Sequence, residues 1–138
     1  MKLYAVIDTN ILVSALWSSV KDSPPVKIML AVNSHRIVPL VHDKILHEYE
    51  EVLCRPKFNF PADAVRAVID RFRKLGLPIV PHPATEIIPD EDDRIFYEVA
   101  LSARQGAEAY LVTGNTRHFP KQPFVVTPAQ MIEIAQRA

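Results

Sequence analysis

The 138-residue sequence has three glycines and one cysteine, and its charges cancel, with sixteen Lys and Arg against sixteen Asp and Glu. Three glycines leave no phosphate-cradling loop, and neither a Gly-x-Gly-x-x-Gly nor a Walker pattern occurs, which sets aside dinucleotide and P-loop chemistry. Cys54 cannot form an internal disulfide. The histidines, His35, His42, His47, His82 and His118, include no His-x-x-x-His pair, so zinc has no ligand set. No apolar run approaches the roughly 20 residues that span a bilayer. No charged segment followed by an apolar stretch and a cleavage site opens the chain, and the expectation is a cytoplasmic protein with no membrane partner. Zero net charge advertises neither nucleic acid nor membrane, so any such partner must be recognised locally. Ser14 falls inside a predicted helix without a nucleophile elbow, which disfavours a serine hydrolase.

What is present is a 49% hydrophobic chain with twelve prolines, long enough to bury a core and expected to form a single domain over residues 1–138. Lys2 to Ile7 is a nearly uninterrupted apolar run, the type expected of a central strand buried on both faces. It ends at Asp8-Thr9-Asn10, which has N-cap chemistry for a helix over Ile11 to Trp17. Pro24-Pro25 opens a helix to Asn33, and Arg36 to Val41 reads as a second strand. A helix from His42-Asp43 to about Cys54 is ended by Arg55-Pro56. Another, opened by Pro61, is stopped by Gly76, and Leu77 to Val80 reads as a third strand. A proline-bearing loop leads to Asp90-Glu91-Asp92-Asp93 and a helix with Ile95, Phe96, Val99, Ala100 and Ala103 on its buried stripe. Strands at Ala109 to Thr113 and Phe124 to Val126 precede a last helix from Pro128. Strands alternating with helices predict an α/β fold, a parallel sheet with helices on both faces.

Ligands of such sheets bind beyond the carboxyl ends of the strands. Three polar groups stand after predicted strands: Asp8-Thr9-Asn10, Asp90 to Asp93, and Thr113-Gly114-Asn115. A carboxylate closing an apolar strand requires a cap, a partner or a cation, and Asp8 fits either an N-cap or a ligand. The acidic run suits a helix N-terminus electrostatically, but four carboxylates so close repel unless something positive sits among them. Helical periodicity places Asp92 and Asp93 both near the buried line and does not choose between them. In the helix from His42, Glu51 and His47 point to solvent, whereas Glu48 and Glu50 lie at the two edges of the buried face. Oxygen donors alone suit Mg²⁺ or Mn²⁺.

Ile7-Asp8-Thr9-Asn10, Leu46 to Leu53, Arg55-Pro56-Lys57-Phe58, Asp90 to Asp93 and Tyr110 to Asn115 occur in one order that resembles the PIN-domain family, specifically the PIN-type toxins of prokaryotic toxin–antitoxin systems. The resemblance runs from Tyr4 to about Val126. It implies a three-layer α/β/α sandwich with a mostly parallel central sheet, and a Mg²⁺- or Mn²⁺-dependent endoribonuclease. Carried over, the catalytic and metal-binding carboxylates are Asp8, Glu48 and Asp93, with Asp90 as a further acidic ligand. Thr9, Asn10, Thr113 and Asn115 surround them, and Arg55, Lys57 and Arg117, with His118 and Lys121, are the candidate RNA contacts. The family pattern usually has Asp where Asn115 stands, so one negative charge is missing. The implied partners are an RNA substrate, a cognate antitoxin and a second copy of the chain. Trp17, Phe58, Phe60 and Phe72, on or beside exterior helices, add a motive for the homodimer. Two other readings compete: a PIN-like module that binds RNA or protein without catalysis, and a phosphohydrolase with an aspartyl nucleophile at Asp8. The second wants a carboxylate where Asn10 stands.

Overall fold

A computed structural model describes residues 2–138. The opening apolar run forms β1 (Leu3–Ile7), followed by α1 (Thr9–Trp17), α2 (Pro24–Asn33), β2 (Ile37–Val41), α3 (Asp43–Leu53) and α4 (Ala62–Leu75). After them come β3 (Leu77–Pro78), α5 (Arg94–Ala103), β4 (Ala109–Val112), β5 (Val125–Val126) and α6 (Pro128–Arg137). Single 3₁₀ turns lie at Pro56–Phe58, Glu91–Asp93 and Thr116–His118. Among the described residues the strands make one all-parallel sheet in the order β3-β2-β1-β4-β5, and with its flanking helices it is an α/β/α sandwich. No helix among them is long and apolar enough to cross a membrane.

The central position of β1 explains its composition: Leu3, Ala5, Val6 and Ile7 are buried, as both faces of a covered parallel sheet require. Strand order reverses at β1. The connection through α1 and α2 leads to β2 on one side, and β4 pairs on the other, so the residues that follow β1 and β4 face one crevice. The core behind it is aromatic. Tyr49 of α3 meets Phe72 of α4 edge-to-face, with ring centroids 5.5 Å apart, and Phe96 of α5 at 6.3 Å. Phe72 is therefore a core residue and adds nothing to an exterior aromatic face. Tyr97 is buried as well, which the stripe read from the sequence omits. Its hydroxyl donates to Glu86 at 2.6 Å, and that partner makes the burial tolerable.

The third strand is shorter than its apolar pattern suggests. Pairing ends at Pro78, and Val80 beyond it is 89% exposed. Pro78 cannot donate on the open edge, and β3 is an edge strand, where proline is tolerated. The acidic run consequently does not stand at the end of β3. Residues 79–90 carry the chain away from that edge, and the 3₁₀ turn Glu91–Asp93 heads α5, which packs on β1 and β4.

One helix end carries strain. α2 closes with the Arg36 N–H on the Ala31 carbonyl at 2.9 Å and the His35 N–H on that of Val32 at 3.2 Å, a Schellman motif. His35 occupies its left-handed position at φ 65°, where glycine is the unstrained residue. His35→Gly is expected to stabilise the protein by up to about 1 kcal/mol, read as a higher denaturant midpoint at unchanged slope.

Candidate active site

Asp8 follows the central strand and is 6% exposed. It stands at the N-cap position of α1, yet its side chain makes no capping hydrogen bond. Instead Oδ2 accepts from the buried Thr113 hydroxyl at 2.6 Å, and Thr113 Oγ1 in turn accepts the Asn115 N–H at 3.0 Å. The residues after β1 and β4 are thus tied across the switch point. On the other side Thr9 Oγ1 donates to Glu48 Oε2 at 2.7 Å, joining α1 to α3. Glu48 is the glutamate of α3 that this bond holds to α1, and it is half-buried, whereas Glu50 and Glu51 are exposed, Glu51 lying 3.8 Å from both Arg55 and His47. Tyr49, next to Glu48, sends its hydroxyl to the carbonyl of Ile7, immediately before Asp8. Its apolar-stripe position hid this role. The signal was present all the same, since a tyrosine on a buried stripe must find a partner for its O–H.

The ambiguous pair at the head of α5 also separates. Asp92 is exposed, while the Asp93 side chain is only 19% exposed and lies 4.0 Å from His118 Nδ1. Asp90 is exposed and caps the 3₁₀ turn, its Oδ1 accepting the Asp92 N–H at 3.0 Å. Asn10 and Asn115 are exposed, and Asn115 enters the network through its backbone alone. The candidate cations divide. Arg55 lines a groove of about 660 Å³ beside Glu48, together with Lys44, His47 and Arg94. Arg117 and Lys121 line a separate cavity of about 670 Å³ with Phe119 and Val126. Lys44, His47 and Arg94 were not singled out in the sequence, because nothing local distinguishes a groove-lining cation from a solvated one.

Electrostatics shows that Asp8, Glu48 and Asp93 share one environment. Burial raises Asp8 above the ordinary carboxylate value, against the Thr113 hydrogen bond, the nearby amides of Thr9 and Asn10, and His118. Glu48 is raised first by burial and then by Asp8, Asp92 and Asp90, with the Thr9 hydroxyl opposing. Asp93 is pushed up to about 6 by burial and by the charges of Asp8, Asp90 and Glu48, against His118. A set of oxygen donors that repel one another in a partly desolvated crevice has the chemistry of a hard-cation site. As the side chains stand, no three His, Cys, Asp or Glu among the described residues are set around one ion position.

The sign of the Asp93 shift makes a prediction for the metal-free protein. Its folded value lies above the unfolded one, so the folded state keeps a proton that the unfolded chain has released. Stability is therefore greatest below about pH 4 for this group and is lost as pH rises through about 6. Asp93→Asn is expected to raise stability in chelator at pH 7 by about 1–2 kcal/mol after solvent screening, and by nearly nothing near pH 4. Melting curves of both proteins across that range check it, and parallel curves would refute it.

An all-parallel sandwich with an acidic crevice at its switch point belongs to the α/β class that binds ligands outside the strand ends. Within that class, a PIN domain profile matches residues 4–117, and the chain belongs to the PIN-domain family. The PIN domain is a nuclease-type fold, and the matched span contains Asp8, Glu48, Asp90, Asp93 and Asn115. No curated protein and no solved structure matches the chain.

Proposed function

We propose that the protein is a Mg²⁺- or Mn²⁺-dependent endoribonuclease, residues 1–138 acting as one domain, and the toxin of a toxin–antitoxin pair. What supports the nuclease reading is that Asp8 at the end of β1 and Glu48 in α3 are each held by a threonine hydroxyl at the switch point, and that Glu48 and Asp93 at the head of α5 are both raised by the charge of Asp8. These three would hold the cation, with Asp90 at the rim. When bound, it supplies a Lewis acid that lowers the pKa of a water and offsets charge building on the phosphate.

The protein's own contribution is orientation. The hydroxyls of Thr113 and Thr9 each hold one oxygen of Asp8 and Glu48 respectively, which orients those carboxylates for a ligand. Tyr49 anchors the backbone just before Asp8. Lys44, Arg55 and Arg94 in the groove beside Glu48 are the cations that would meet an RNA backbone, among the carboxylates of Asp43, Glu51, Glu91, Asp92 and Glu98 that share it, and His118 lies beside Asp93.

Asn115, two residues beyond the Thr113 that holds Asp8, is exposed and carries no charge. Asn115→Asp is expected to raise divalent-ion affinity and RNA cleavage together, by about tenfold, because an added carboxylate contributes most where an ion can occupy it. The test is cleavage of a mixed single-stranded RNA over a Mn²⁺ series, with Asp93→Asn as the control for contaminating nuclease. Cleavage by wild type above that control supports the enzyme. Wild type and Asn115→Asp both matching the control would replace it with a module that binds without cutting. A small DNA-binding antitoxin encoded next to the gene would support the toxin assignment, with that antitoxin as partner.

A further inference from the structure

Helix α1 meets α3 at one place and the 3₁₀ turn that follows α3 at another. At the crevice, Thr9 donates to Glu48. At the other end Trp17, the last residue of α1, meets Phe58 edge-to-face, with ring centroids 5.0 Å apart. Trp17 lies eight helical steps after Thr9, about 12 Å along the axis. The second contact is built by the 3₁₀ turn after α3. The Phe58 N–H closes on the Arg55 carbonyl at 3.1 Å and the Asn59 N–H on that of Pro56 at 3.1 Å, with Asn59 left-handed at φ 53°. This turn stacks Phe58 on Phe60, planes 10° apart, and holds Lys57 Nζ 5.1 Å from the Phe58 ring centre. Trp17 touches both phenylalanines and is still 61% exposed. A tryptophan 61% exposed beside two half-buried rings has aromatic surface open to solvent.

We propose that Trp17, backed by Phe58 and Phe60, is a stacking platform for a base of single-stranded RNA lying a few nucleotides from the bond that is cut. The inference rests on the nuclease reading for the identity of its ligand. Charge decides for RNA over an apolar partner: Lys57 is fixed on the platform, and Arg55, at the start of the same turn, lines the groove beside Glu48. Lys57 on the Phe58 ring and Arg55, 3.8 Å from Glu51 at the groove, match a strand whose backbone is anionic and whose bases present flat faces. The platform accepts any base, so it sets a preference for unpaired strand over duplex and not for sequence.

Trp17 is the only tryptophan in the chain, so its fluorescence reports the platform directly. The experiment titrates a single-stranded oligoribonucleotide into Asp93→Asn protein, which does not consume it, with a duplex and an abasic strand of equal length as comparisons. Saturable quenching by the single strand, and little by the other two, is expected. In a competition assay with labelled RNA, Trp17→Ala should weaken binding about 5- to 100-fold, and Trp17→Tyr should recover most of the loss. Unchanged affinity in Trp17→Ala, or equal quenching by the abasic strand, overturns the platform. So does emission that depends on protein concentration without RNA, which would mean that a second copy of the chain covers this face. Quenching and weakened binding with no cleavage by wild type would keep the platform and remove the nuclease.

Discussion

Asp8→Asn is expected to reduce metal-dependent RNA cleavage by at least about 100-fold and to abolish the stabilisation that Mn²⁺ gives the wild type. An ion that binds only the folded state at about 100 times its Kd adds about 2.7 kcal/mol to stability, several degrees in Tm for a chain of this size. Asp8 is the most buried of the three carboxylates, and Asn in its place keeps an oxygen for the Thr113 hydroxyl. The crevice therefore retains its shape and loses the charge that a hard cation needs. In chelator the same variant should melt higher than wild type, because neutralising a desolvated carboxylate removes the penalty that raises its pKa. Opposite shifts with and without ion are the signature of a ligand, since a residue with only a structural role would lower Tm in both. Equal Mn²⁺-induced shifts in the two proteins, by calorimetry or thermal melting, would remove Asp8 from the site.

Gly76→Ala is expected to destabilise the protein by about 2–3 kcal/mol, a fall in Tm on the order of 10 °C. Gly76 joins α4 to β3 at an ordinary negative φ, so the reason is space and not conformation. A Cβ there would fall on the Phe72 carbonyl oxygen and lie 2.9 Å from Val41 Cγ1 and 3.1 Å from the Pro39 carbonyl oxygen. Two of the three obstacles are backbone, so the end of α4 must move off β2. The Gly76 N–H bond to Phe72, at 2.8 Å, is strained by the same movement. Chemical denaturation measures the loss. A midpoint within error of wild type would show that the junction absorbs a methyl.

Much of this molecule was legible from local pattern. Leu3 to Ile7 reads as a central strand because covered strands are apolar on both faces, and α2 and α6 begin at the prolines that predict them. Asp8, Glu48 and Asp93 emerged through family resemblance, while periodicity alone left Glu48 with Glu50 and Asp93 with Asp92. The contacts that hold Glu48 and Asp8 in place are non-local: Thr9 lies 39 residues from Glu48, and Thr113 lies 105 from Asp8. No window of helical or strand period sees such pairs. Phe72 misled for the same reason, since an aromatic on an amphipathic helix looks alike whether its face meets solvent or Tyr49. β3 was overextended because Ile79 and Val80 are apolar, and hydropathy does not record that the edge strand stops pairing at Pro78.

The tie between Thr113 and Asp8 also has a history within each molecule. Thr113, whose hydroxyl holds Asp8, is added to the chain 105 residues after it. At about 5–20 residues per second, roughly 5–20 s pass before β4 can pair with β1 and close the crevice. Until then Asp8 is an ordinary hydrated carboxylate on a growing chain. On the proposed ribonuclease reading, the crevice would acquire its activity only after β4 has paired, and the message being translated would be spared by its own unfinished product.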